Sequence, residues 1–397
     1  MNRPSRDSRA AARDRHDGQF RDPADLAGFW RGAVETDPSL FACETEGRWW
    51  ETLRRCGVTL LVSREYEHLL LGLTASDDGT GAATYLRLPH PSGIAVDEAR
   101  ATVHVACTRN PNQVYDLQPV RSLMPRLDRA AETFAGNPLL PARVRFLPGC
   151  TYLHDLALIG GELHATSVGQ NAIVRIGEGG ACERVWWPRC IEAPGGPVFG
   201  RNHIQLNSIA AGACPADSYY SASADEMTEL RPGDPAFPVD RRGVIFSGAT
   251  REALALGLTR PHSARLHGGR IWVDNSGYGE VGVVEGGAFV SVRRLPGWTR
   301  GLAFCGDTAF VGTSRVLPRF RAYAPGLDPA AARCGVHAVD VRTGEALGSI
   351  VWPAGNQIFA IEPVPSSMSG GFPFAAGEKQ ARGSSEGLFY AFDFTTP

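Results

Sequence analysis

Six polar residues, Ser92, His154, Gln205, His262, Arg300 and Gln357, stand at the entrances of short apolar runs: SGIAVD, LHDLALI, QLNSIA, HSARL, RGLAF and QIFAIEPV. A buried strand core accounts for the Leu, Ile, Val and Ala of each run, but not for a polar side chain at every entrance. Two of the six are imidazoles, which titrate near neutral pH and serve as acids, bases or metal ligands. The two carboxamides donate and accept hydrogen bonds. Arg300 presents a fork that matches a carboxylate. Brought together, His154, His262 and Arg300 would carry catalysis, and Gln205 and Gln357 would position a small polar or anionic substrate. Asn207, Asn275, Ser276, Tyr278 and Arg315 follow the entrances or lie in adjoining loops and extend the substrate-binding set. Tyr278 lies in NSGYGE, which equally fits a turn. Asp225 and Glu226, in SADEM, are candidate carboxylates for the same space.

Two or three imidazoles with amide oxygens suit one divalent ion, Mn²⁺, Fe²⁺ or Zn²⁺. His154 and His262 are its first candidate ligands. His203, two residues before Gln205 and so on the same strand face, is the third. Such an ion would polarise a carboxylate or carbonyl while a nearby base removed the adjacent proton. Asp155 faces away from its neighbour His154 on a strand and is a poor orienting acceptor for that ring.

The elements that must bring these residues together are short. After Gly57, β-type runs of four to eight residues follow one another, broken by Gly, Asp-Gly and Gly-Gly turns. The entrances recur every ~40–60 residues, the scale of a propeller blade with loop insertions. VTLLVSR, HLLLGLTAS and ATYLRL read as strands two to four of a blade that lacks its first strand; NQIFAIEPV reads as a first strand with little after it. Joining the two closes the ring and hides both edges. The expectation is an all-β, six-bladed β-propeller closed by pairing N-terminal strands with a C-terminal strand. Seven blades is the alternative, because Val120–Pro148 and the stretch after Pro365 have room for a divergent blade. The innermost strands of a propeller line a central channel, so the six entrances converge there.

The division expected is residues 1–24 as a disordered polar tail, 25–56 as a helical and aromatic segment packed on the propeller, 57–365 as the propeller, and 366–397 as an extension that completes the last blade. GRWWETLRRCG reads as a helix ending at Gly57. Val120–Ala135 is the one later stretch with helical character.

The 397 residues are 43% hydrophobic and 21% charged, with 46 Gly and 28 Pro, a globular composition rich in turns. A net charge of −2 and the absence of a basic stripe exclude a nucleic-acid partner. The N-terminal stretch has no apolar signal core, and no run approaches bilayer length, so no membrane partner and a cytoplasmic location are expected. Nine cysteines without CxxC spacing read as reduced thiols. The chain has no P-loop, GxGxxG before a helix, GxSxG or HExxH.

In order, LLVSREYEHLLLGL, SGIAVD, LHDLAL, QLNSIA, PHSARLHGGRIWV, TRGLAFCGDTAFVGTSR and CGVHAVDVRTGE resemble an uncharacterised bacterial β-propeller family with a domain of unknown function. The likeness covers most of Phe41–Pro365. It implies a propeller and supplies no reaction. That family typically has histidine where Gln205 stands and glutamate where Gln357 stands. Any metal set the family uses would here have lost one imidazole and one carboxylate.

Two functions follow. One is an enzyme, a lyase, isomerase or hydrolase acting in the funnel, with or without an assisting metal. The other is a non-catalytic propeller that binds a ligand or a protein on its rim, with Trp49, Trp50 and Trp298 as exposed aromatics.

Overall fold

The computed structural model describes residues 35–109, 112–123, 132–133, 136–147, 151–376 and 392–394. The expected tail, residues 1–24, lies outside them.

Six antiparallel sheets form six blades. Blade 1 runs outward from Ala360–Pro365 through Val58–Arg64, Leu69–Ala75 and Gly81–Arg87, with Phe374–Ala375 on its outer edge. Blade 2 is Pro91–Asp97, Thr102–Cys107, Gln113–Leu123 and Leu139–Phe146. Blade 3 is Leu153–Ile159, Glu162–Ser167, Ala172–Ile176 and Cys182–Trp186. Blade 4 is Leu206–Ala210, Tyr219–Ala222, Gly243–Ser247 and Ala253–Leu258. Blade 5 is Pro261–His267, Arg270–Asn275, Glu280–Glu285 and Ala288–Arg294. Blade 6 is Trp298–Cys305, Thr308–Ser314, Gly335–Asp340 and Ala346–Val351, with Glu44–Gly47 added outside. Each innermost strand touches the next, and that of blade 1 returns to that of blade 2, so the ring closes.

The closure is the one the two incomplete runs require: Thr59 pairs with Val364, Leu61 with Glu362 and Ser63 with Ala360. The closing strand itself starts at Ala360, which leaves Gln357 in the loop before it. Between Val120 and Pro148 no seventh blade appears in the described residues. Gln113–Leu123 and Leu139–Phe146 are the third and fourth strands of blade 2. The helical reading of Val120–Ala135 is corrected at its start, where Val120–Leu123 continues a strand and the branched Val120 is fully buried in the sheet; residues 124–131 and 134–135 lie outside the described residues.

The helix at Trp49–Cys56 does form, and Gly57 ends it at φ 65°, a left-handed cap that only glycine adopts without strain. Trp49 is 1% exposed and meets Phe310 edge-on at 5.8 Å. It belongs to the core between blades 1 and 6, not to an exposed rim. Trp50 and Trp298 are half-buried.

Toward the axis the strands crowd. A Cβ on Gly93 of blade 2 would stand 2.5 Å from the Leu156 nitrogen of blade 3. Five innermost strands, in blades 2 to 6, also carry a register shift immediately after their first residues. Such a bulge bends the strand and re-aims the side chain at that position.

Candidate active site

The bulges set the site. They fall at Ser92–Gly93, His154–Asp155, Asn207, Ser263–Ala264 and Arg300–Gly301 in successive blades. In blade 4 the counterpart of His154 is thus Asn207, with Gln205 two residues earlier, and in blade 5 His262 stands immediately before the bulge. Gln205 and Tyr152 precede their bulge by two residues and Arg260 precedes its own by three, and all share a left-handed backbone, at φ 51°, 51° and 53°. This conformation turns a long side chain back over the mouth of the channel.

An axial cavity of about 160 Å³ results. Of the expected residues, His154, Gln205, His262, Arg300, Arg315 and Gln357 line it. Ser92 does not: its hydroxyl donates to the carbonyls of Ala106 and Leu153 and ties blade 2 to blade 3. Asn207 is buried beside the cavity and donates to the Pro261 carbonyl (2.9 Å) and to Ser223 Oγ (3.0 Å). Asn275 accepts from the Thr259 nitrogen and donates to Glu280, while Ser276 Oγ lies 3.1 Å from His262 Nδ1. Tyr278 donates to Asp240 from a turn, as NSGYGE allows. His203 lies outside the lining. Asp225 and Glu226 pair with Arg242 instead.

The cavity's carboxylate is Glu65, which the sequence reading did not name. Gln357 bridges it to the basic side: in its hydrogen-bonding orientation the amide nitrogen donates to Glu65 Oε2 (3.1 Å) and the oxygen accepts from Arg300 Nη1 (3.1 Å). Arg109 Nε donates to Glu65 Oε1 at 3.1 Å. Burial raises the Glu65 carboxyl above its ordinary value, while Arg300 and Arg109 pull it back. The Arg300 guanidinium lies 3.3 Å over the Phe359 ring. Burial pushes its pKa down to about 10, so it stays charged at neutral pH. Arg260 is held in the same way: its guanidinium stacks over Tyr323 at 3.9 Å, donates to Gln205 and the Pro232 carbonyl, and is pushed down to about 10 by burial.

His154 and His262 sit between these cations. Burial first, and then the Arg300 charge, holds both imidazoles well below their ordinary value, so both are neutral. His262 Nδ1 lies 2.8 Å from the Arg260 carbonyl, an acceptor only, so Nδ1 carries the hydrogen and Nε2 the lone pair. His154 Nδ1 is buried without a hydrogen-bond partner among the described residues, and the ring meets Phe359 edge-on at 5.5 Å. The neighbouring Asn207 favours the protonated ring, without outweighing burial. Unfolded chains bind protons at these histidines below about pH 6.5 and the native chain does not, so both withdraw stability as pH falls through that value. Their ring-proton NMR shifts are expected to stay at the neutral position from pH 8 to 5.5; a midpoint near 6.5 for either would contradict the burial account.

Deeper along the same strands the channel is closed by charge. Arg265 pairs with both Asp155 oxygens (2.8 and 3.2 Å) and with Glu362 (3.3 Å). Asp155 thus faces away from His154, as strand alternation requires. Burial pushes Glu362 up to about 7 and raises Asp274, which shares a ladder rung with His262, well above its ordinary value.

The donor set does not fit the divalent metal the sequence led us to expect. No group of three or more His, Cys, Asp or Glu among the described residues is arranged to hold one. The two imidazoles share their surroundings with the buried cations of Arg260 and Arg300, and a metal ion there would be repelled by both. A cavity with fixed cations, neutral bases and one carboxylate is instead suited to an anion with a proton to lose.

A family model described as "Domain of unknown function (DUF4915)" matches residues 47–371. No curated protein matches the chain. Among solved structures, a chain of a nidogen/laminin complex is similar at 11% identity, covering 78% of this chain and 99% of that one, with a TM-score of 0.51. A gluconolactonase from Xanthomonas campestris is similar at 14% identity over 75% of this chain and 86% of that one, TM-score 0.44. A streptogramin B lyase follows at 13% identity, 71% and 72% coverage and a TM-score of 0.36. At these distances the first supports the fold, and none bears on chemistry.

Proposed function

We propose that this chain, which belongs to the DUF4915 family, is a lyase or isomerase that removes a proton next to the carboxylate of a small anionic substrate. One observation carries the reading: a buried and a half-buried imidazole, both neutral, and two buried guanidiniums surround one small axial cavity. Arg300, with Arg260, holds the carboxylate. His262 acts as base through Nε2, its tautomer fixed by the Arg260 carbonyl. The C–H bond breaks, the proton passes to His262, and the electron pair moves into the carboxylate as an enolate. The guanidiniums and the neutral His154 stabilise that charge in a site screened from water. The imidazolium then returns the proton: to the other face of the same carbon in an isomerase, which inverts its configuration, or to a departing β-oxygen in a lyase, where the enolate pair forms a C=C bond as the C–O bond breaks. Neutral bases support this role, since an imidazole that was already protonated could accept nothing. The eight described cysteines are all free thiols, which supports a reducing, cytoplasmic setting.

The test is solvent exchange. Protein in deuterium oxide is incubated with a panel of small 2-hydroxy, 3-hydroxy and sugar acids, and loss of the proton next to the carboxylate is followed by NMR. The parent is expected to exchange at least one of them, and His262→Gln to slow that exchange ~10²–10⁴-fold, the usual contribution of a general base. Exchange at the parent rate in the variant would overturn the assignment of the base. Malonate bound at the cavity with no exchange of any acid would favour the non-catalytic binding propeller.

A further inference from the structure

A second, wider chamber of about 660 Å³ adjoins the axial cavity. The two share a wall made by Tyr152, His154, Gln205, Arg260, Phe320 and Tyr323. The rest of the chamber comes from the outermost strand of blade 3, which carries Arg184, and from the loops around blades 3 and 4, which carry Phe199, Arg201 and Arg231. With Arg260 these make four arginines, and no Asp or Glu is in the lining. Arg184 Nε donates to the Gln170 amide oxygen at 2.6 Å, and its guanidinium lies 4.3 Å over the Phe199 ring. Both contacts are neutral, so they fix the charge without cancelling it. Arg201 and Arg231 are exposed and enter no ion pair among the described residues.

The cavity between blades 2 and 3, about 630 Å³, is the opposite case. There Arg100 is answered by Asp97, Arg145 by Asp116, and Arg175 by Glu162 and Glu183. Arginines are common on protein surfaces, but they are usually interspersed with carboxylates. Four around one chamber with no carboxylate in its wall leave the counter-charge to a ligand.

We propose that this chamber holds a second anionic group of the substrate, a tetrahedral oxyanion of the phosphate or sulfate type. The proposal rests on the reading of the axial cavity as the carboxylate site. The substrate is then an elongated molecule with a carboxylate at the axis and a phosphate- or sulfate-type group at the rim, such as a phosphorylated or sulfated sugar acid. Several arginine forks match the oxygens of a tetrahedral dianion better than they match a single planar carboxylate.

The experiment is titration calorimetry on the full chain with three probes, malonate, inorganic phosphate and sulfate, alone and together. The double variant Arg201→Ser/Arg231→Ser is compared with the parent, and melting temperatures confirm that both are folded. The expected result is that phosphate binds the parent in the presence of saturating malonate. The double variant should then raise the phosphate dissociation constant at least tenfold and leave that of malonate unchanged. Tighter sulfate than phosphate binding would mark the rim group as a sulfate ester, and the reverse as a phosphate ester. Phosphate that competes with malonate and is indifferent to the double variant would overturn the second site while leaving the axial reading intact. Phosphate that binds and depends on Arg201 and Arg231, with no malonate binding, would uphold the chamber as an oxyanion site and overturn the axial carboxylate. A parent that binds neither oxyanion overturns the proposal.

Discussion

Replacing Arg300 by methionine should weaken malonate binding about 10- to 100-fold without lowering the melting temperature. A hydrogen-bonded charge contributes about 1.5–3 kcal/mol, which converts to that range of affinity. The stability half of the prediction has a separate cause. The guanidinium is 8% exposed, and burial pushes it down to about 10 from its ordinary 12.5. The fold therefore holds this charge at a cost on the order of 3 kcal/mol, spread over its contacts. Methionine keeps the aliphatic stem and removes the buried charge, while giving up the guanidinium stacked on Phe359, the hydrogen bond to the Gln357 oxygen and part of the charge that answers Glu65. A site residue that the fold would be no weaker without is one retained for binding. Calorimetry with malonate and a thermal melt check the two halves. Unchanged affinity would mean that the anion is held elsewhere; a large fall in melting temperature would make Arg300 a structural residue.

The second large effect concerns the ring. A chain ended at Trp352 should show no cooperative unfolding transition by circular dichroism or calorimetry. It loses the innermost strand of blade 1, which pairs with Val58–Ser63. Among the buried side chains it also loses are four large ones in and just before that strand, Ile358, Phe359, Ile361 and Val364. At about 1.5–3 kcal/mol each, these amount to roughly the ~5–15 kcal/mol that holds a whole domain folded. Leu60, Leu61 and Val62, all fully buried in the intact chain, would face solvent on an open sheet edge. A sharp melt in the shortened chain would mean that the other five blades stand without closure.

Closure was legible because both halves of the broken blade leave complementary gaps, and hydrophobic runs of strand length mark where each half lies. The helix ending at Gly57 was legible for a similarly local reason: one glycine supplies the left-handed cap. Val120–Leu123 misled because a strand at the outer part of a blade need not alternate cleanly, and its pattern resembled a helix face. The site was half legible. His154, His262 and Arg300 head runs whose polar entrance the core cannot explain. Gln205 and Gln357 were taken for the same position, but the bulges shift the register. Asn207 occupies that place in blade 4, and Gln357 acts from a loop as a bridge between Glu65 and Arg300. Arg260 was missed although a signal existed: it stands two residues before His262, as Tyr152 stands before His154 and Gln205 before Asn207. Glu65, Arg109, Phe320 and Tyr323 lie in turns and connections with no repeating pattern, and only the folded ring brings them to the axis. The two guanidiniums packed around the imidazoles, which weigh against the expected metal, were not legible as neighbours of His154 and His262 in the sequence.

The most direct test of the account is a crystal structure of the full chain soaked with malonate. The account predicts one malonate in the axial cavity, a carboxylate within hydrogen-bond distance of the Arg300 guanidinium, and the carbon between its carboxylates facing a ring nitrogen of His262. An empty cavity at saturating malonate, or malonate bound only outside it, would contradict the account.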